Sequence, residues 1–338
     1  MTQHPLTHPW RVARVASAAL ALTAAALTVS GPASGHGAPQ AAPLAASVQT
    51  AAPCLTKPSG ERVRADSPLN GADPNDVTPA QTQQVEARLA ASARQRGLSA
   101  GRALGKTKID VYVHVITTDK GKGGVSSSRI KKQIAVLNKA YAGKTSSKSK
   151  KTVFSFKLKH VDKTKSSAWY DWSSPEVDAT DDVNAKTALH KGKLDDLNLY
   201  ITSLQDGLLG YSSFPFDGIL DLDGVVVLND SLPGGSATGY DRGDSATHEV
   251  GHWLGLYHTF ENGCSNPGDE VDDTPYQADG ENVFSCSSKL DTCLTEGKDP
   301  VHNFMSYGDD KCLTRFTKGQ ATRMALMWQT FRAPGAGS

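Results

Sequence analysis

His248-Glu249-Val250-Gly251-His252-Trp253-Leu254-Gly255-Leu256-Tyr257-His258 carries the spacing H-E-x-x-H-x-x-G-x-x-H. On a helix, residues four apart share a face, so His248 and His252 can turn imidazole nitrogens towards one ion. Glu249 projects beside the pair and can reach a water held at that ion without occupying a ligand position, the placement of a general base. Gly255 is where the helix is expected to stop, because glycine alone takes a left-handed conformation without a Cβ penalty. The reversed chain then brings back His258 as a third ligand. Three neutral nitrogens leave one tetrahedral position for water, the arrangement of a catalytic zinc rather than of a closed structural site.

A second segment, Asn303-Phe304-Met305-Ser306-Tyr307, follows about fifty residues later. The histidine motif together with such a methionine resembles the metzincins, whose tight turn sets a methionine beneath the three histidines as an apolar floor. Met305 would be that floor. Within the metzincins the chain is most similar to the pappalysin family. That likeness rests on His258-Thr259-Phe260, Gly268-Asp269-Glu270-Val271-Asp272-Asp273-Thr274-Pro275, Asp291-Thr292-Cys293, Asp299-Pro300-Val301-His302-Asn303-Phe304-Met305 and Phe316-Thr317-Lys318-Gly319-Gln320 with Arg323-Met324.

The resemblance implies an α+β fold: a mixed, twisted five-stranded sheet with an antiparallel edge strand, an active-site helix, and a loop-rich, disulfide-bonded lower subdomain ending in a helix. It also implies that Leu208, Leu209, Gly210 and Tyr211 lie on the strand along which an extended peptide adds itself. Tyr307 would hydrogen-bond the developing oxyanion. Four cysteines cluster between Cys264 and Cys312, and in an exported chain they read as two disulfides with three pairings open. The family pattern selects Cys264 with Cys293 and Cys286 with Cys312. Asp269, Asp272, Asp273 and Thr274 place hard oxygen donors within six residues, which suits calcium, an ion family members carry near this position. Asp309 and Asp310 fall near the expected wall of the pocket for the residue after the scissile bond. Carboxylates there would favour Lys or Arg, with Lys311 placed to cancel them.

The 338 residues are 38% hydrophobic with a formal net charge of +1, enough for a real core and with no basic balance that calls for nucleic acid. Arg11 and Arg14 precede an Ala/Leu-rich run from Val15 to Val29 and small residues at Ala33-Ser34-Gly35, the pattern of a cleaved export signal. Residues 1–46 are therefore assigned to a signal and its flank, 47–105 to a pro-segment, and 106–338 to the catalytic domain, divided near 258 into upper and lower subdomains. Within the pro-segment one helix is expected, with Thr78 as cap, Pro79 at its first position, Val85 and Leu89 on one face and Gly97 as stop. Arg94, Arg96 and Arg102 offer cleavage points. The odd cysteine, Cys54, could close the open zinc position as a latency thiolate.

Further elements are legible from periodicity. Lys108 to Ile116, Thr152 to Val161, Leu197 to Leu204, Leu208 to Phe214 and Gly224 to Leu228 read as strands. Ser127 to Tyr141, Asp182 to His190 and Thr317 to Arg332 read as helices. The functional expectation is a secreted, monomeric zinc endopeptidase acting on protein or peptide substrates, with calcium as a second ion and no membrane anchor. A narrow processing protease or toxin, or a zinc-stapled binding module without activity, shares most of these features.

Overall fold

The computed structural model describes residues 62–64, 77–98 and 105–336, apart from 174, 176 and 177. The export signal and Cys54 lie outside the described residues. Five strands form the body of one sheet: β2 (Thr107–Thr117), β3 (Phe154–Lys165), β4 (Leu197–Thr202), β5 (Leu208–Ser212) and β6 (Val225–Leu228). The two-residue strand β1 (Arg62–Val63) adds to its edge, giving the order β1-β5-β6-β4-β2-β3. β3, β2, β4 and β6 run parallel, while β5 is antiparallel to β6. The mixed α+β sheet with an antiparallel strand at the cleft side is thus present, with one more strand than the body alone supplies.

Alternation along the strands builds two layers. Ile109, Val111, Val113 and Val115 of β2, Leu199 and Ile201 of β4 and Val225 and Val227 of β6 turn to one face. There they meet helix α2 (Ser127–Tyr141) through Ile130, Ile134 and Leu137, and helix α4 (Asp244–Trp253) through Ala246, Val250 and Trp253. The intervening residues Ile116, Tyr200, Val226 and Leu228 turn to the other face, with Ala185 of helix α3 (Thr180–Leu189) and Trp172. β3 runs past Val161 to Lys165 because its polar end still pairs with β2 up to Thr117. The exposed lysines there guard the far edge against further pairing.

The lower part is held by cross-links rather than by layers. Cys264 is bonded to Cys293 and Cys286 to Cys312, the pairing implied by the family pattern. Helix α5 (Lys318–Met327) begins with a capping box at Thr317 and Gln320 and continues as a π-helical turn, Trp328–Arg332. The buried Arg332 guanidinium bonds both oxygens of Asp223 at 2.9 Å, donates to Trp253 O at 2.8 Å and lies 3.9 Å over the Trp253 ring. The C-terminal end is thereby fastened to the last turn of α4. Helix α1 (Pro79–Gln95) carries the expected Thr78 cap and Pro79 start, with Val85 and Leu89 buried.

Candidate metal centre

α4 starts at Asp244 after Gly243 and is fixed at its first turn from three sides. The Asp310 carboxylate accepts from Arg242 N at 2.8 Å and Asp244 N at 3.4 Å, the Gln133 amide donates to Gly243 O at 2.8 Å, and the Tyr141 hydroxyl donates to Thr247 O at 3.1 Å. A carboxylate at a helix N-terminus complements the helix dipole. Asp310 thus holds the start of α4. Asp309 pairs with Lys311 at 2.8 Å. Both carboxylates expected at the pocket wall thus have partners, backbone amides for Asp310 and the Lys311 ammonium for Asp309.

The helix ends at Trp253, and Gly255 follows at φ 93°, the left-handed turn its position required. His248, His252 and His258 are buried, and their Nε2 atoms converge, with His252 Nε2 3.0 Å from each of the other two. Three such nitrogens about one point suit an ion about 2 Å from each. Two of the outward nitrogens are already used: His248 Nδ1 lies 2.6 Å from Phe304 O and His252 Nδ1 2.8 Å from Leu256 O. Those carbonyls hold the proton on Nδ1 and leave the Nε2 lone pairs facing inward. Burial pushes the His252 imidazole down to about 3, so it is neutral and ready to ligate.

Met305 is fully buried against α4, where a Cβ on Gly251 would collide with its sulfur. The lack of a side chain at Gly251 thus leaves room for the Met305 thioether against α4. Thr259 N donates to Met305 O at 3.1 Å, which locks the turn to the residue after the third histidine. The Tyr307 hydroxyl lies 3.2 Å from His258 Nε2, its ring packed on Phe260 and Val283. Glu249, 1% exposed, faces the edge strand: a Cβ on Gly210 would stand 2.8 Å from its Cγ and 3.1 Å from its Oε1.

The edge itself is covered. Arg62 pairs with Gly210 and Val63 with Leu208, antiparallel, and Arg64 N donates to Gly207 O at 3.1 Å. Four donors proposed for calcium separate into two sets. Asp269 and Thr274 are buried, whereas Asp272 and Asp273 are exposed, and Asp273 accepts from Gly319 N at 2.9 Å, capping α5. The helix-seating roles of Asp310, Gln133 and Tyr141 have no signal in the sequence, because each acts across a long stretch of chain.

Similarity to known proteins agrees with this geometry. The profile of the pregnancy-associated plasma protein-A peptidase family matches residues 178–328. An extracellular metalloprotease of Arthroderma benhamiae is 42% identical over 233 residues, spanning 67% of this chain and 73% of that protein. The chain belongs to the pappalysin family. A further extracellular metalloprotease, from Pyricularia oryzae, is 40% identical over 250 residues, 72% of this chain and 82% of that one. Among solved structures, mirolysin in complex with a small compound superposes with a TM-score of 0.57 at 30% identity, covering 67% of this chain and 93% of the other. A mutant of Tannerella forsythia promirolysin gives 0.59 at 27% identity, covering 75% and 91%. This pappalysin-family chain is a metalloendopeptidase, and its substrates are proteins or peptides. Among the described residues no helix is long and apolar enough to cross a membrane.

Proposed function

We propose that this metalloprotease is a secreted, monomeric zinc endopeptidase made as a latent precursor, with a leader and pro-segment ahead of a catalytic domain that begins near residue 106. One observation supports the reading above all others: three histidine Nε2 atoms converge at the end of a helix whose Glu249 faces Gly210 on the sheet edge. His248, His252 and His258 would hold a zinc ion, which when bound would supply Lewis-acid chemistry for the scissile carbonyl and for water near neutral pH. The β5 backbone from Leu208 to Tyr211 aligns the peptide as an added strand. Glu249 takes the proton of the attacking water and delivers it to the leaving amine, and the Tyr307 hydroxyl donates to the oxyanion, worth a few kcal/mol when well placed. An intact base in this position argues against a metal-stapled binding module.

Latency has one structural support and one further element that the sequence supplies. β1 occupies the strand register that a substrate would use. Cys54, upstream of it in the sequence, would supply a thiolate for the open zinc position; equal activity of the uncut Cys54→Ala and wild-type chains would dismiss that role. A calcium ion is proposed at Asp269 and Thr274, because the two are buried side by side, with the Thr274 hydroxyl against the Asp269 carboxyl, and present hard oxygen atoms to one point. The test of the activity is a peptide-library digest by the purified protein, with 1,10-phenanthroline as control and cleavage sites read by mass spectrometry. Cuts that survive the chelator would sink the zinc mechanism.

A further inference from the structure

Helix α1 lies within the stretch that the sequence assigns to the pro-segment, yet its contacts are with the foundation of the metal centre. Val85 and Leu89 pack on Met327, with Phe216, Leu326 and Phe331 around them. Met327 is fully buried, and a Cβ on Gly255 would stand 2.5 Å from its Cγ. α1 therefore covers the side chain that supports the turn between the second and third histidines.

The polar contacts converge on the same turn. Arg323 of α5, 7% exposed, donates from Nη2 to Glu86 Oε1 at 2.6 Å and from Nε to Gly255 O at 2.9 Å, and its guanidinium lies 4.7 Å over the Tyr257 ring. Among the described residues Glu86 is the carboxylate within ion-pair distance of Arg323, while Glu270 adds a more distant field. At the other end of α1, Arg96 donates to Gln329 O at 2.9 Å and to Gly335 O at 2.6 Å. Arg96, expected as an exposed cleavage point, is tied down at both branches of its side chain.

Removal of this helix would leave a buried guanidinium beside Gly255 without its carboxylate, and would open an apolar face made of Met327, Leu326, Phe331 and Phe216. The first change is costly because one buried charge loses its partner; the second creates a contiguous exposed patch. A segment built only to block a cleft needs neither contact. We propose that α1 is a permanent clamp of the catalytic domain and stays bound in the active enzyme, so that maturation discards only chain upstream of Thr78. The inference rests on the precursor reading for the existence of a maturation cut, and on the contacts above for where that cut leaves the helix. Any scission between α1 and β2 leaves the helix in place as a bound fragment.

The experiment is mass spectrometry of the chelator-sensitive, active species purified by size exclusion from full-length protein. Residues 79–95 are expected in one-to-one amount with the catalytic domain, joined to it or co-eluting as a fragment. An active species that begins at or after residue 105 and carries no α1 peptide overturns the proposal. An active chain that is never cut would refute the precursor reading and leave the clamp standing, so the two failures are separable. As a second readout, Glu86→Gln in the full-length chain should lower the melting temperature by at least about 4 °C, the scale set by a lost buried ion-pair partner in a domain of this size. A shift below about 1 °C would show that the ion pair does not clamp the helix.

Discussion

Replacing Gly210 by alanine tests how closely the edge strand and the catalytic base are fitted to each other. The new Cβ would lie 2.8 Å from Glu249 Cγ and 2.8 Å from Val226 O. Comfortable carbon contacts are about 3.5–4.0 Å, so something must retreat by about 1 Å. Val226 belongs to β6 and is buried in the sheet, where it cannot yield without breaking the β5–β6 ladder. The carboxylate of Glu249 is the softer partner. A 1 Å misplacement of a reacting group costs about 100-fold in rate, equivalent to about 2.7 kcal/mol of barrier. Steady-state kinetics on a quenched fluorescent peptide should therefore give a kcat for activated Gly210→Ala about 10- to 100-fold below wild type. The zinc content should be unchanged and KM should move less than kcat. A kcat within about threefold of wild type would refute the fitted contact, and a loss confined to KM would move the effect from the base to substrate pairing.

Two other outcomes follow from the same structure. Because burial raises the Asp269 carboxyl above its usual 3.8, the folded chain holds a proton that the unfolded chain has released. Without a bound cation, the contribution of this group to stability should thus be fullest below about pH 4 and be lost as pH rises towards the raised value. Calcium should flatten that decline by binding the ionised form, and melting curves that coincide with and without calcium from pH 4 to pH 7 would contradict it. Gly251→Ala pushes a methyl into the Met305 sulfur, an overpacking change expected to cost about 1–3 kcal/mol; calorimetry showing no loss of stability would argue that Met305 is not the floor of the site.

The parts of the site that were legible in the sequence are those set by local geometry. The i, i+4 spacing of His248 and His252, the left-handed Gly255 and the return of His258 are consequences of helix pitch and chain reversal, so spacing alone places them. Strand positions followed from alternation, and β3 ran longer than read because its last turns pair through the backbone with polar side chains outward. What spacing could not reveal are contacts between distant stretches. The position of Asp310 shortly after Tyr307 gave no sign that its carboxylate also holds the start of α4, about seventy residues back in the chain. Nor could spacing show that Asp273, four residues after Asp269, is exposed and accepts from Gly319 N at the start of α5 while Asp269 is buried. α1 has the composition of a dispensable segment, and only the burial of Arg323 under Glu86 shows what it supports.

The central claim is that Glu249 acts as the base at an ion held by His248, His252 and His258. Its most direct test is Glu249→Gln, assayed for peptide cleavage alongside zinc content by elemental analysis and fold by circular dichroism. The account predicts one zinc per chain, an unchanged spectrum and cleavage reduced at least about 1,000-fold, since a general base acts together with the ion's electrostatic stabilisation. Cleavage at the wild-type rate by a zinc-loaded, folded variant would contradict it.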